Sequence, residues 1–172
     1  MIEGAPRASS FEIRPATVAD VPLIVALIRE LAEYERLSHA CAATEDALRR
    51  HLFGARPFAE ALVAEAEGRG VGFALFFHTF STFEAAPTLY LEDLYVRPEE
   101  RRRGVGKALL TRLAKLAVER GCRRFEWSVL EWNRPAIDFY VGLGARLLDD
   151  WRICRVDGAA LTALATGTQR AT

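Results

Sequence analysis

A basic, glycine-containing loop lies between two apolar segments in the middle of the chain. It reads Arg-Arg-Arg-Gly-Val-Gly-Lys over residues 101–107. Glycine has no Cβ, so backbone N–H groups near Gly104 and Gly106 can approach a ligand closely. The first N–H groups of a helix lack partners within the helix and carry a partial positive charge. Because three arginines precede them, the stretch predicts an anion site, with a pyrophosphate as the favoured ligand.

Two common phosphate motifs do not match this loop. The dinucleotide-binding motif has three glycines, and Leu109 stands at the position of the third. A P-loop has a glycine five residues before its Gly-Lys pair and a serine or threonine after it, whereas this chain has Arg101 and Ala108 there. The alternative interpretation is an ordinary basic turn between a strand and a helix.

The segments on either side of the loop predict the elements that hold it. Residues 89–96 are rich in β-forming side chains, and Pro98 cannot continue a strand ladder. Apolar residues then recur at helical spacing from Leu109 to Ala117, and Gly121 is a helix stop. The loop is therefore predicted to be a strand-to-helix turn.

Alternation, capping residues and turn residues predict the elements before this turn. Thr44 is a helix cap, and Gly54 ends the helix that follows it. The predicted elements are a strand at 11–14, helices at about 20–36 and 45–53, strands at 61–66 and 71–79, and a loop over 80–88.

The rest of the chain predicts a further strand, a helix and a closing segment. Asn133 is a good helix cap, and Pro135 is tolerated in the first turn. The predicted elements are a strand at 124–130, a helix from 133 to 144, strand segments at 145–148 and 151–156, and a short helix after Asp157. This order fits an α/β domain with a mixed central sheet and helices on both faces. We expect one domain over 11–165, with 1–10 and 166–172 as flexible tails.

Composition excludes several classes of protein. The chain has 172 residues, of which 51% are hydrophobic and 27% charged, which is an ordinary globular balance. The net charge of zero gives no support to a nucleic-acid partner. No apolar run reaches the ~20 residues of a membrane span, and the first ten residues lack the apolar core of a secretory signal, so we expect a cytoplasmic protein.

The cysteines and histidines do not form a site motif in the sequence. Cys41, Cys122 and Cys154 are odd in number and widely spaced, which argues against a disulfide framework or a zinc site. His78 lies near the end of a predicted strand, where a structural role is the favoured interpretation. We expect no bound metal.

The basic loop resembles the R-x-x-G-x-G motif of the GNAT superfamily of N-acetyltransferases, with Arg101, Gly104 and Gly106 at the motif positions. Nearly the whole chain, from about Phe11 to Leu164, is similar, and it is closest to the diamine acetyltransferase branch with its spermidine/spermine and thialysine-type enzymes. The matching segments are 13–17 with Asp20, 30–32, 34–35, 62–65, 90–93, 131–133, 133–140 as N-x-x-A-x-x-F-Y, and 144–145. The resemblance implies a single-domain GNAT fold and transfer of an acetyl group from acetyl-CoA to a primary amine.

The resemblance also implies which residues contact the cosubstrate. The end of the central strand would meet the pantetheine arm, with the Leu94 N–H as oxyanion donor, and residues 102–107 would bind the pyrophosphate. A second helix start, at Asn133, would add another contact. The implied cofactor-binding residues are Leu94, Tyr95, Val96, Arg101, Arg102, Arg103, Gly104, Val105, Gly106, Lys107, Asn133, Ala136 and Tyr140.

Two residues match the catalytic positions of the family, Tyr140 as general acid and Glu92 as the carboxylate that contacts the amine directly or through water. A primary amine has a reference pKa near ~10.4 and cannot attack a thioester until it loses a proton, which a carboxylate can accept. Tyrosine, with a pKa near ~10, stays protonated and can supply a proton to the leaving thiolate. Direct transfer without a covalent enzyme intermediate follows. Glu92 and Asp93 are neighbours on a strand, so only one of the two acids faces a given side of the sheet. We favour Glu92 as the functional acid and leave Asp93 as a structural acid or a substrate contact.

Several acids at the ends of elements predict a cationic acceptor if they converge. They are Glu33, Glu35, Glu84, Glu92, Asp93, Asp149 and Asp150. Trp151 could be an aromatic wall for a cation or a core residue. The stretch Ser81-Thr82-Phe83 is similar to the thialysine-type members and lacks the acid of the polyamine-acetylating members. We therefore favour a small amine such as thialysine, ornithine, lysine or a short diamine, with Phe83 among its contacts.

Two other functions remain open. A non-catalytic acyl-CoA sensor would keep the fold, although the presence of both Glu92 and Tyr140 argues against it. An acetyltransferase that acts on a protein amine would need an open peptide groove. The resemblance also implies a homodimer, because the branch commonly forms dimers.

Overall fold

A computed structural model describes residues 11–168 of the chain. The strands are β1 (Phe11–Pro15), β2 (Glu60–Ala66), β3 (Arg69–Ser81), β4 (Ala86–Val96) and β5 (Arg124–Trp127). The helices are α1 (Val21–Tyr34), α2 (Glu45–Phe53), α3 (Val105–Glu119), α4 (Arg134–Gly142) and α5 (Gly158–Thr166). The predicted tail at 1–10 lies outside the described residues, as does 169–172. Of the second predicted tail, 166–172, the structure describes 166–168, and Thr166 is the last residue of α5.

The chain divides after Ser128 into two compact units. The first contains all five strands and α1 to α3, and the second contains α4 and α5. Within residues 11–168, no helix combines the length and the apolar character that a bilayer crossing requires.

The five strands of the first unit form one sheet in the order β1-β2-β3-β4-β5. The first three pairings are antiparallel, and β4 pairs with β5 in parallel. The strand before the basic loop, β4, therefore lies between β3 and β5. The predicted α/β class and mixed central sheet are confirmed.

Both faces of this sheet are covered within the first unit. On one face, Ile24, Leu27 and Leu31 of α1 pack in a buried cluster with Phe73 and Tyr95. Neighbouring side chains of a strand point to opposite faces, so the buried residues that adjoin Phe73 and Tyr95 along their strands belong to the other face of the sheet. Helix α3 packs on that face. The predicted helices on both faces are confirmed.

Local signals placed several helix ends correctly. The Thr44 hydroxyl accepts a hydrogen bond from the Ala47 N–H at 3.2 Å and begins α2. Gly54 follows the last residue of α2, as predicted. Capping needs only residues within one turn, so a short stretch of sequence determines it.

Strand boundaries were predicted less well. The predicted loop over 80–88 is wrong, because β3 continues through Ser81 and β4 begins at Ala86, its partner across the hairpin. β5 ends at Trp127 rather than at residue 130. A strand extends as far as its neighbour pairs with it, and the neighbour is not visible in a local pattern.

The two strand segments predicted at 145–148 and 151–156 are also wrong. Residues 143–157, here named the C-terminal arm, contain no strand. Trp151 and Ile153 in the arm are each 77% exposed. Alternating apolar residues favour an extended backbone, but a strand also needs a partner for its N–H and C=O groups. The arm has no such partner in the part of the chain that the structure describes.

Candidate active site

The two halves of β4 differ in how their edges are paired. Along its whole length, β4 pairs with β3. Its other edge pairs with β5 only from Thr88, opposite Arg124, to Leu91, opposite Trp127. From Glu92 to Val96 this second edge of β4 has no strand partner in the first unit, and it is here named the open edge.

The direction of the backbone groups at the open edge follows from two hydrogen bonds. The Arg97 N–H donates to the Val71 carbonyl of β3 at 2.9 Å. Successive residues of a strand alternate in the edge to which their N–H and C=O groups point, so Val96 and Leu94 face away from β3. The Val96 carbonyl accepts a hydrogen bond from Arg101 Nε at 2.9 Å, in agreement with this direction. The Leu94 N–H and C=O therefore point to the open edge.

A β-bulge precedes this stretch. Leu75 lies opposite Asp93 and Phe76 lies opposite Leu91, so Glu92 is an additional residue on β4. A bulge interrupts the regular alternation and redirects a side chain. The expectation that Glu92 and Asp93 face opposite sides of the sheet is therefore not valid at this point.

Asp93 has the most perturbed carboxyl near the open edge. Burial, the negative charge of Glu92 and that of Glu35 raise its pKa from 3.8 to about 6. Glu35 directly follows α1, and burial raises the pKa of its carboxyl as well. The charges of Glu92 and Glu35 thus both act on Asp93, whose pKa of about 6 is close to neutrality. The sequence favoured Glu92, which matches the carboxylate of the family. The burial of Asp93 arises only in the folded structure and could not be predicted from the sequence.

Two of the other residues considered from the sequence lie in or next to the hairpin between β3 and β4. Glu84 forms an ion pair with Arg124 at 3.0 Å. Phe83 lies in the turn between β3 and β4 and is 94% exposed. Glu92 is six positions along β4 from its first residue, Ala86, which separates the two residues by roughly 20 Å. Asp149, Asp150 and Trp151 belong to the second unit.

The backbone of the basic loop has a conformation that suits an anion. Arg102 has a φ of 62° and Gly104 a φ of 88°, both in the left-handed region. Successive N–H groups in such a conformation form a concave surface for anions. α3 begins directly after Gly104 without a side-chain cap, and its first intrahelical hydrogen bond runs from the Ala108 N–H to the Gly104 carbonyl. The N–H groups of 105–107 are therefore left for a ligand.

The three arginines of the loop have different contacts. The guanidinium of Arg101 lies over the rings of Tyr34, 4.8 Å from the centroid, and Tyr95, at 5.5 Å. Arg103 forms an ion pair at 2.6 Å with the buried carboxylate of Glu100. Within residues 11–168, Arg102 has no ion pair, so its charge is the one most accessible to an anion.

In the second unit, α4 begins with a side-chain cap. Asn133 Oδ1 accepts a hydrogen bond from the Ala136 N–H at 3.4 Å, which confirms the predicted cap. Tyr140 lies two turns along α4, with its ring centroid 5.4 Å from that of Phe139. The roles expected for Asn133, Ala136 and Tyr140 in binding and catalysis stay predictions.

Comparison with known proteins identifies the family. The sequence profile of the Acetyltransferase (GNAT) family matches residues 25–145, which is more than half of the chain. The chain belongs to the GNAT family. The protein is therefore an N-acetyltransferase, and membership of the family implies an acyl-CoA donor.

Full-length relatives agree with this assignment. Thialysine N-epsilon-acetyltransferase of Sus scrofa is 41% identical over 168 residues, covering 91% of this acetyltransferase and 98% of the relative. L-ornithine N5-acetyltransferase NATA1 of Arabidopsis thaliana is 36% identical, covering 88% and 86% of the two chains. An integron cassette protein of V. cholerae has the same fold, with a TM-score of 0.77 and 28% identity over 91% and 98% of the chains.

The first unit of this acetyltransferase fits an acyl-CoA donor. The open edge offers the N–H and C=O of Leu94 to an extended, amide-containing arm, as a neighbouring strand would. The uncapped start of α3, with Arg102 beside it, fits the diphosphate. The open edge lies directly before the strand-to-helix turn, and the start of α3 lies directly after it. One ligand can therefore contact both.

Proposed function

We propose that the protein transfers the acetyl group of acetyl-CoA to a primary amine of a small cationic acceptor, such as thialysine, lysine, ornithine or a short diamine. The observation that carries the proposal is the full-length similarity to acetyltransferases named for thialysine and ornithine. The three interacting carboxyl groups beside the open edge support it, because they favour a cation. The proposal takes residues 11–165 as the acetyltransferase domain.

The carboxyl groups bind and deprotonate the acceptor in this proposal. Glu35 and Glu92 hold the ammonium, and Asp93 accepts one of its protons directly or through a water molecule. With a pKa of about 6, Asp93 is mostly ionised at pH 7 and yet a stronger base than an ordinary aspartate. The nitrogen lone pair is thereby freed for attack.

The donor site positions an acyl thioester, which is the reactive group that acetyl-CoA supplies. The Leu94 N–H donates a hydrogen bond to the thioester carbonyl oxygen, on which negative charge develops. Arg102 and the N–H groups that open α3 hold the diphosphate. The C–N bond forms as the C–S bond breaks, and the Tyr140 hydroxyl gives its proton to the departing sulfur. The nitrogen of the new amide then loses its excess proton to the Tyr140 phenolate, which restores the hydroxyl.

A homodimer is part of the proposal. The C-terminal arm exposes six large apolar side chains, those of Leu143, Leu147, Leu148, Trp151, Ile153 and Val156. β5 is the last strand of the sheet, and an edge strand has N–H and C=O groups to which another chain can add. An arm with exposed apolar side chains can add to an unpaired strand edge, and two copies supply one of each to the other.

The dimer is tested by measuring mass in solution with light scattering after gel filtration. We expect twice the chain mass of 19.1 kDa for the wild type. The double substitution Trp151→Ser and Ile153→Ser should shift the protein toward the monomer, because it removes two large apolar contacts. A wild-type protein with the mass of a single chain at every concentration would contradict the dimer.

The reaction is tested by release of free thiol from acetyl-CoA with thialysine, lysine, ornithine, putrescine, spermidine and spermine as acceptors. We expect turnover with a small cationic amine and a loss of about 10²-fold or more in kcat for Tyr140→Phe, which lacks the proton of the hydroxyl. Robust turnover of spermidine would overturn the preference for small acceptors. Binding of acetyl-CoA without turnover of any amine would favour a protein acceptor or a sensor.

A further inference from the structure

Two arginines after β4 hold the C-terminal half of α1. Arg97 directly follows β4, and Arg101 opens the basic loop four residues later. Their contacts on α1 are Glu30 and Tyr34, which are also four residues apart and therefore lie on one face of the helix. These four side chains are here named the α1 clamp.

The contact of Arg97 with Glu30 has the geometry of a strong charged hydrogen bond. Arg97 Nη2 donates to Oε1 of Glu30 at 2.8 Å, and Nε lies 3.2 Å from both carboxylate oxygens. The third nitrogen, Nη1, donates to the Gly70 carbonyl of β3 at 3.0 Å. Because a guanidinium is planar and rigid, these contacts fix the position of Glu30 relative to β3 and β4.

The contact of Arg101 with Tyr34 adds an aromatic surface to the clamp. The Arg101 guanidinium lies over the rings of both Tyr34 and Tyr95, and its Nε donates to the Val96 carbonyl. A cation over an aromatic ring is attracted by the ring electrons. The last residue of α1, Tyr34, is therefore held against the end of β4.

Glu35 lies between the clamp and a tight turn of the backbone. It directly follows Tyr34, and after it Arg36 adopts a left-handed φ of 62°. The Leu37 N–H donates to the Ala32 carbonyl at 2.7 Å, which closes the turn. The backbone on both sides of Glu35 is thus fixed, and the clamp determines where its carboxyl lies relative to β4.

Asp93 faces the helix that the clamp holds. Tyr95 belongs to the buried cluster between α1 and the sheet, and Asp93 is two residues earlier on β4, so both face the same side. The charges that act on the Asp93 carboxyl come from Glu92 on its own strand and from Glu35 after α1. The clamp therefore joins the two elements from which these acids come.

We infer that Arg97 is a positioning residue for the acceptor site, because the clamp keeps the Glu35 carboxylate beside Asp93. The inference rests on the proposed function and adds to it a residue that contacts neither substrate. The side chain of Arg97 is bound to α1 and β3, so it acts on the amine through Glu35. Loss of its guanidinium should therefore weaken binding of the amine and leave binding of the donor unaffected.

The first test measures KM for the amine and for acetyl-CoA in Arg97→Met, which keeps an apolar stem and lacks the guanidinium. We expect KM for the amine to rise about three- to fivefold and KM for acetyl-CoA to change by less than about twofold. In a Glu35→Gln background, Arg97→Met should cause no further rise in KM for the amine, because it acts through Glu35.

Arg120→Met is the matched control. Arg120 follows α3 and binds the Glu60 carboxylate of β2 with the same kind of fork, at 2.8 Å from Nη2 to Oε2. The control variant loses a comparable ion pair between a helix end and a strand, and it should keep the wild-type KM for the amine.

A second test does not depend on catalysis. The pKa of Asp93 is measured by NMR from the chemical shift of its carboxyl carbon, which is assigned with Asp93→Asn. In Arg97→Met this pKa should fall by about 0.5 or more, because Glu35 moves away and water reaches Asp93. Loss of a nearby positive charge alone would raise the pKa, so the direction of the change separates positioning from direct electrostatics.

An Asp93 pKa that stays the same or rises in Arg97→Met would overturn the inference. An equal rise in KM for the amine in Arg120→Met would also overturn it, as would a further rise in the Glu35→Gln background. A wild type that turns over no amine would overturn the proposed function instead, and the carboxyl titration would then decide the inference by itself.

Discussion

The two halves of β4 differ in strand pairing, in burial and in the chemistry of their side chains. In the first half, Thr88 to Leu91 pair on both edges, and the half is mostly buried. The second half, from Glu92 to Val96, pairs on one edge, contains a bulge and has a carboxyl with a raised pKa. The first half stabilises the sheet, and the second half keeps backbone and charge available for ligands.

The second half therefore reduces stability at neutral pH. Since the pKa of Asp93 is raised from 3.8 to about 6, the folded protein binds more protons than the unfolded chain between those pH values. Stability then falls as the pH rises through this window and stays lower above it. This is the opposite of the behaviour of an aspartate in a salt bridge.

The largest effect is expected for Asp93→Asn in the second half. The variant should lose about 10²- to 10⁴-fold in kcat/KM, because an amide cannot accept the proton of the ammonium. In the wild type, kcat/KM should rise up to pH about 6 and then level off. Steady-state rates between pH 5 and 9 measure both results.

Stability separates this role from a structural one. Asp93→Asn should be more stable than the wild type at pH 7 by about 1 to 2 kcal/mol, because no charge is then buried beside Glu35 and Glu92. It should also lose the decline in stability between pH 4 and 6. A variant that is less stable and still active would show that Asp93 is structural. Glu84→Gln, at the far hairpin, serves as a control that retains activity.

A substitution in the first half should have the reverse result. Leu89 is fully buried, and Leu89→Ala leaves a cavity that should cost about 2 to 5 kcal/mol of unfolding free energy. The fraction that remains folded should keep its kcat/KM within about threefold. Urea unfolding together with rates at low denaturant tests this. A fall in kcat/KM of the folded Leu89→Ala protein by more than about threefold would show that the first half also acts in the site, and would remove the distinction between the two halves.

The smallest effect is expected at Glu35, which acts on the second half from α1. Glu35→Gln removes one of the negative charges that raise the pKa of Asp93. The acid limb of the pH profile should move to lower pH by less than one unit, and KM for a cationic amine should rise a few-fold. An unchanged acid limb would show that Glu35 does not act on Asp93.

The sequence predicted those features that depend on neighbouring residues. The caps at Thr44 and Asn133 were confirmed, since each needs only one turn of chain. The bulge at Glu92 could not be predicted, because register depends on β3 as much as on β4. The preference for Glu92 over Asp93 relied on the match of Glu92 to the carboxylate of the family. The burial of Asp93 and the nearby charge of Glu35 depend on the folded structure, so a local pattern could not predict the raised pKa of Asp93.

The C-terminal arm shows what an alternating sequence pattern does not determine, which is whether a partner strand is present. Its alternating pattern predicted two strands, but the structure has no strand there and no neighbouring strand for it within residues 11–168. A pattern indicates which face of a strand is apolar and says nothing about where the partner is. The strand-to-helix turn at the basic loop was predicted correctly, because its proline and glycines act through their own backbone.

Glu35 lies just beyond the last residue of α1, outside the buried cluster that joins this helix to the sheet. Substitutions there would alter the charge around the proposed acceptor site without opening a cavity in the core. Natural selection can therefore vary the acceptor of such an enzyme in small, independently tolerated steps while the donor stays the same. An engineer seeking a new amine specificity has the same freedom at this position.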